Sequence, residues 1–413
     1  MIWLLYYFLI YVMVLSIRIS TLWSPKSKDW ISGRKNWDDQ IKLIPQKKGT
    51  RIWFHVASLG EFEQARPVIE KLKKHNGQLE IILTFFSPSG FLIRSSYPLA
   101  TVLYLPADLP GNALKWISSI RPDMAVFVKY DLWPGYLKAL QAQDIPCMLI
   151  SAHWTPGGLF NSRNIPPTKS LLQKFKRIFL QKDDHLDYFR QRGFSNLSVA
   201  GDTRIDRSLE LPAETKSRIP AELAAIGPFD LVAGSTWAAD EKLITEAIHQ
   251  LNLKALIAPH DVSEENIARI LKSFDTSAIR LTKLKETTAN PRVVIVDNIG
   301  LLSLLYSLGR IAYVGGGFGA GIHNTLEPMA HGKPVLFGPS YWKFPESVEM
   351  VRLKAARPVT DIHGLVQAIR DFQQMGIAEK AGKTAIQYLS KNAGASIKVA
   401  NYILESIPYS GKE

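Results

Sequence analysis

Twelve short apolar runs alternate with segments of helical period, and no other feature restricts the fold of this chain as much. Six lie in the first half, at Arg51–Val56, Glu80–Leu83, Thr101–Tyr104, Met124–Val128, Pro146–Ile150 and Arg177–Leu180. Between them the pattern predicts helices such as Glu61–Lys74, Gly111–Ile120 and Pro134–Gln143. The alternation lapses near residues 209–228, a stretch rich in Pro, Ala and charge. It resumes with Phe229–Ala233, Lys254–Ala258, Ala278–Leu281, Arg292–Val296, Ile311–Val314 and Pro334–Phe337. Strand–helix alternation of this kind builds a parallel sheet covered by helices on both faces. A chain of 413 residues is too long for one ordinary core. The pattern therefore predicts an α/β fold of two Rossmann-like parallel-sheet lobes. They would occupy residues 40–207 and 229–413, the second with closing helices, joined by a linker at 208–228. Open α/β sheets bind ligands beyond the carboxyl ends of their strands, so the site is expected in a cleft that the lobes face.

The amino terminus is of another kind. Met1–Ile17 has no charged side chain before Arg18. Seventeen helical residues span roughly 26 Å, at the short end for a bilayer. A basic start and a small-residue cleavage site are both missing, so a removable signal fits poorly. Arg18, Lys26, Lys28, Arg34 and Lys35 follow it, and Trp3, Trp23, Trp30 and Trp37 flank it. Such flanks hold the basic side in the cytoplasm and put indoles at the headgroups. Residues 1–18 are thus expected to be an uncleaved inner-membrane anchor, with a helix lying in the interface as the alternative.

Charge and cysteine exclude several functions. Fifty Lys and Arg against 37 Asp and Glu give a net charge of +13. No nucleic-acid motif accompanies it, which favours a membrane surface and anionic substrates. The single cysteine, Cys147, sits in an apolar run, which rules out a disulfide framework and suits a small buried hydrophobe.

Three segments carry candidate chemistry. In His55-Val56-Ala57-Ser58-Leu59-Gly60-Glu61 a strand ends, Ser58 and Gly60 turn the chain, and Glu61 opens a helix. A carboxylate there complements the helix dipole, or serves as a general base toward an acceptor hydroxyl. In Ser87-Pro88-Ser89-Gly90 small residues precede a helix and suit either an N-cap or an anion-binding turn. Five of the seven residues Gly315–Gly321 are glycine, and they lead into His323-Asn324-Thr325-Leu326-Glu327-Pro328. Gly315 and Gly316 permit close approach of a ligand, a helix near Thr325 could receive a phosphate, and Glu327 could accept from ribose hydroxyls. The glycine spacing is not the dinucleotide fingerprint. His323 lacks companions at metal-ligand spacing, so no metal is expected.

Together these segments resemble the Kdo (3-deoxy-D-manno-octulosonic acid) transferases of lipopolysaccharide synthesis, glycosyltransferase family 30. Further landmarks are Tyr104-Leu105-Pro106-Ala107-Asp108, Asp131-Leu132-Trp133-Pro134, Ala200-Gly201-Asp202-Thr203-Arg204-Ile205-Asp206, Ala233-Gly234-Ser235-Thr236-Trp237 and Ile257-Ala258-Pro259-His260. The resemblance implies the two-lobed GT-B fold and an inverting transfer of Kdo from CMP-Kdo to a lipid A precursor of the lipid IVA type. It also implies a place on the cytoplasmic face of a Gram-negative inner membrane. On this likeness Glu61 matches the catalytic base and Arg204 a transition-state cation. Pro259 and His260, Gly300, Leu301 and Leu302, and Asn324, Thr325, Leu326 and Glu327 match CMP-binding positions.

Three departures stand out. Lys129 occupies a place where the commoner pattern has a carboxylate, so the charge is reversed. His260 replaces an arginine, and Leu301 an acidic residue. Lys129 could join Arg204 in offsetting the donor's carboxylate. Two alternatives remain: a UDP-sugar-dependent lipid glycosyltransferase of the same fold, or a membrane-tethered nucleotide- or lipid-binding protein without activity.

Overall fold

A computed structural model describes residues 2–407, apart from 131, 154–169, 185, 192, 275–276 and 287–289. The chain forms two compact units. One comprises Met1–Asp206 with Ala393–Glu413, the other Arg207–Asn392. The first holds seven strands: β1 (Arg51–Val56), β2 (Glu80–Phe85), β3 (Thr101–Tyr104), β4 (Met124–Val128), β5 (Cys147–Ala152), β6 (Arg177–Leu180) and β7 (Leu197–Val199). Their order is β3-β2-β1-β4-β5-β6-β7 and every pairing is parallel. β1, β4 and β5 are buried at every residue, as continuous apolar runs demand of strands covered on both faces.

The second unit repeats the plan with β8 (Phe229–Thr236), β9 (Ala255–Pro259), β10 (Ala278–Arg280), β11 (Val293–Ile295), β12 (Gly309–Val314), β13 (Val335–Phe337) and β14 (Ala356–Pro358). The order is β10-β11-β9-β8-β12-β13-β14, again all parallel. Each sheet therefore reverses its direction of growth once, between β1 and β4 in the first unit and between β8 and β12 in the second. Such reversals are the switch points where α/β sheets open to ligands.

Three features differ from the sequence expectation. β7 and β14 are three-residue outer strands with no apolar run to announce them. The segment expected as a linker at 208–228 is mostly helical, Thr203–Arg218 followed by Ala221–Ile226. Pro212 lies inside the first of these helices, which explains why the segment looks broken in sequence. Glu214 pairs with Arg207 and with Arg218 along its surface. Third, the final helix, Ala395–Ser406, belongs to the first unit rather than closing the second. Val399, Ala400 and Ile403 join the cluster formed by Phe62, Val68, Ile69 and Leu72. Fully burying a side chain such as Val399 or Ile403 contributes about 1.5–3 kcal/mol. Its amino end is fixed by the Asp206 carboxylate, which accepts from the Gly394 and Ser396 N–H groups at 2.6 Å each.

The amino-terminal helix, Ile2–Ser20, is long and apolar enough to cross a membrane, and little of it is buried. Tyr6, Ile10, Met13, Val14 and Ile17 form its less exposed stripe, whereas Leu4, Leu5, Phe8, Leu9, Val12 and Leu15 are exposed. The Tyr6 hydroxyl donates to the buried Asp108 carboxylate at 2.6 Å, and Asp108 also accepts from the Gly135 N–H. Burial raises the Asp108 carboxyl pKa, and these two hydrogen bonds oppose the rise. The next helix, Pro25–Arg34, is anchored by the buried Arg34. Its guanidinium donates to the carbonyls of Leu105 and Phe86 and stacks over Trp30.

Replacing Asp206 by Ala should cost about 1–2 kcal/mol, the usual worth of a capping carboxylate at a helix amino end. Hydrogen exchange is the appropriate readout, because faster exchange should be confined to the Ala395–Ser406 amides and the surface they cover. Unchanged exchange there would contradict the assigned role of Asp206.

Candidate active site

At the first switch point the chain leaves β1 through Ala57 and Ser58 and enters the helix Leu59–His75. Ser58 is its N-cap, accepting from the Glu61 N–H at 3.4 Å. The Glu61 carboxylate folds back and accepts from the Ala57 N–H. Glu61 thus satisfies a backbone donor at the helix entry, a structural duty, while remaining half-buried at the sheet's carboxyl edge. Tyr130, from the loop after β4, shares this edge. Burial raises its phenol pKa, and the Glu61 charge raises it further.

The Ser87–Gly90 turn after β2 lies beside the same loop. The Ser87 N–H donates to the Ala57 carbonyl at 2.8 Å. A Cβ on Gly90 would come within 2.7 Å of the Phe85 ring and 3.0 Å of the Leu59 nitrogen, so only glycine lets the two loops approach. The Ser87 and Ser89 hydroxyls bond to each other at 2.8 Å and do not cap the Pro88–Arg94 helix. The structure therefore brings together Ser58, Gly60, Glu61, Ser87, Ser89 and Gly90.

A cationic group completes this edge. Lys129, the residue after β4, is left-handed (φ 60°), uncommon for a side chain with a Cβ. Ser151, within β5, does the same at φ 56°. Arg204 grips Asp202 with a fork, Nη2 to Oδ2 at 2.5 Å and Nε to both oxygens at 3.0 and 3.1 Å. Burial would raise the Asp202 carboxyl, yet Arg204 and, more weakly, Lys129 hold it below its usual range. His153, just past β5, is pushed down by burial and by Lys182 and Lys129, which keeps its imidazole neutral near pH 7. Asp131 lies outside the described residues.

The second switch point is more aromatic. Trp237 follows β8, His260 follows β9, and His323 closes the glycine-rich loop after β12. Their rings form one stack: Trp237 on His260 with centroids 4.4 Å apart, His260 on His323 at 4.8 Å, each inclined by 23°. The Trp237 Nε1–H donates to His323 Nε2 at 3.1 Å. Beneath the stack Asp240 is 1% exposed and accepts three hydrogen bonds, from the Trp237 N–H, the Gly316 N–H and the Tyr313 hydroxyl. Gly316 is left-handed (φ 91°), and a Cβ there would meet the Gly321 carbonyl at 2.6 Å and the His323 ring at 3.0 Å. A Cβ on Gly315 would strike the Ser235 carbonyl at 2.3 Å.

Asn324 and Glu327 are joined, Nδ2 to Oε1 at 3.0 Å, and the Asn324 side-chain Oδ1 accepts from the Leu326 N–H. The helix that follows is only Leu326–Ala330, with Thr325 rather than Asn324 at its cap and the Thr325 hydroxyl paired with Ser347. Tyr306 links Glu327 to β8. The Glu327 charge adds to burial in raising the Tyr306 phenol, and a Cβ on Gly234 would lie 2.2 Å from the Tyr306 hydroxyl. Gly300 is left-handed, Leu301 caps the short helix Leu302–Leu305, and Leu302 packs against Gly234. Pro259 ends β9, and the His260 N–H donates to the Thr236 carbonyl at 2.9 Å.

Sequence reasoning passed over Trp237 as a ring contact, and over Asp240, Tyr130, His153 and Asp202. Asp240 stands three residues after Trp237 at a helix start, a capping spacing that could have drawn notice.

Comparison with known proteins places this architecture. Residues 35–207 match the family described as 3-deoxy-D-manno-octulosonic-acid transferase. The curated 3-deoxy-D-manno-octulosonic acid transferase of Haemophilus influenzae is 25% identical over 364 residues, covering 83% of this chain and 84% of that protein. The one from Chlamydia muridarum is 27% identical over 384 residues, covering 88% and 87%. Over most of its length the chain is similar to Kdo transferases, and residues 35–207 match that family. It is a glycosyltransferase, and its paired parallel sheets are of the GT-B type. Similar solved structures include a UDP-GlcNAc 2-epimerase from Neisseria meningitidis, with TM-score 0.61, 16% identity and coverage of 86% of this chain and 100% of that one. Acinetobacter baumannii MurG superposes with TM-score 0.55 and 12% identity over 86% of this chain and 100% of that one. At such identities these two share the fold alone.

The transferase should tolerate no side chain at residue 316. Gly316→Ala combines a strained φ with a clash against the Gly321 carbonyl, and should cost about 1–3 kcal/mol. Thermal unfolding should fall accordingly, and stabilisation by added nucleotide should be lost with it.

Proposed function

We propose that this transferase moves Kdo from CMP-Kdo to a hydroxyl of a lipid A precursor of the lipid IVA type, with inversion, at the cytoplasmic face of the inner membrane. The observation that carries the reading is that Glu61 and Lys129 follow the two strands flanking the first switch point, with the Asp202–Arg204 pair within electrostatic reach of Lys129. Glu61 takes the proton of the acceptor hydroxyl as the anomeric carbon gains cationic character, by analogy with glycoside hydrolysis. Arg204 and Lys129 offset the donor's carboxylate and developing charge. In the second unit Pro259, His260, Gly300–Leu302, Gly315, Gly316 and Asn324–Glu327 hold the cytidine phosphate. Glycine lets the backbone approach it closely, and Glu327 with Asn324 presents polar groups to the ribose. The apolar, outward face of Ile2–Ser20 and the basic residues after it keep the body at the bilayer, where the acceptor resides.

No metal enters this scheme, since a monophosphate leaving group develops less charge than a diphosphate. Activity should therefore persist in EDTA, and inhibition that Mg²⁺ reverses would contradict this part.

Glu61→Gln is the sharpest test of the base. An amide can still accept from the Ala57 N–H, so the helix entry is kept while the basic oxygen is removed. Turnover should fall about 10²–10⁴-fold with CMP affinity retained. Mass spectrometry of lipid A precursor incubated with protein and CMP-Kdo reads this directly. A product of unchanged mass with the unaltered protein would overturn the proposed reaction.

A further inference from the structure

We propose that His260 takes up a proton when the phosphate of the donor nucleotide binds, so that nucleotide affinity in this chain is set by pH. The inference rests on the cytidine-nucleotide reading above and adds a coupled proton to it.

The stack explains why His260 is the group that charges. His323 receives the Trp237 indole N–H on Nε2, so that nitrogen carries a lone pair and no proton. Burial and the neighbouring His260 both push the His323 imidazole further down. His323 is therefore the neutral member. His260 is exposed and stacks against both the neutral His323 ring and Trp237, whose centroid is 4.4 Å away. An aromatic face beside a cation is attractive, so Trp237 favours an imidazolium at His260. The nucleotide phosphate, singly charged in the donor and a dianion in CMP once the sugar has left, supplies the opposite charge that completes the balance.

The surrounding groups do not supply that charge instead. Asp240, from the helix Ala238–Leu251, is already engaged by three donors. Glu241, on the same helix, is paired with Arg269 and accepts from the Thr236 hydroxyl. Asp261, next in the chain, turns back to the Ser263 N–H and hydroxyl. The bond formed is His260 N–H to phosphate oxygen, with the proton drawn from buffer.

The sign follows from linkage. Binding that takes up one proton strengthens as pH falls, by up to tenfold in Kd per pH unit between the free and bound pKa values. The measurement is isothermal titration of CMP into the full chain in detergent at pH 7.5. The ligand's second phosphate ionisation lies near 6, so CMP is already a dianion there. In Tris, HEPES and PIPES the apparent heat should vary with buffer ionisation enthalpy, giving net proton uptake. His260→Arg supplies a permanent cation and should bind CMP with no buffer dependence and a flat Kd from pH 6.5 to 8.5. His260→Gln should bind more weakly, also without a slope. CMP binding by the unaltered chain with no buffer dependence would overturn the inference, as would a slope that survives in His260→Arg. Failure to bind CMP, with UMP or UDP bound instead, would overturn the cytidine reading itself.

Discussion

A parallel sheet can grow in both directions from its first strand only if its crossovers change sides once, and the gap left at that change governs the rest of this molecule. β1 beside β4, and β8 beside β12, create two such gaps. Each is furnished by whatever residues follow those strands: Ala57–Glu61 and Lys129–Tyr130 in one unit, Ser235–Trp237 and Gly315–Gly317 in the other. The backbone is strained there as well. Lys129 and Ser235 are left-handed at the ends of their strands without being glycine, a cost that packing elsewhere must offset.

The fold was largely legible because strands buried on both faces must be mostly apolar, and β4 and β9 are apolar throughout. What escaped was decided by distant contacts. Nothing near residues 395–406 marks which unit they complete. That choice is made by Val399 and Ile403 meeting Phe62 and Leu72, and by Asp206 reaching Gly394. Pro212 suggested a break where Glu214 and its arginine partners sustain a helix. Candidate site residues stand out in sequence where a local motif exists, as at Glu61 and Asn324–Glu327. Trp237, His260 and His323 lie far apart in sequence, and only the folded β8–β9–β12 edge makes them one object.

Charge at the first switch point is balanced among few groups. Glu61 and Asp202 are anionic, and Arg204 and Lys129 are cationic. Lys129 is the group whose identity shifts the charge balance felt by an anionic donor. With a carboxylate at 129 the same cluster would be doubly negative. The reversal suits an edge that must admit a sugar acid, and it leaves His153 neutral beside three cations.

The return of the last helix to the first unit has a consequence for biogenesis. Residues 1–206 emerge from the ribosome early and carry the apolar helix Ile2–Ser20. Yet the face made by Phe62, Val68, Ile69 and Leu72 stays uncovered until some two hundred further residues have been synthesised. The amino-terminal half must wait for the carboxyl-terminal segment to finish it. A message cut short anywhere in the second sheet would leave an unfinished and sticky intermediate, a natural client for chaperones and proteases.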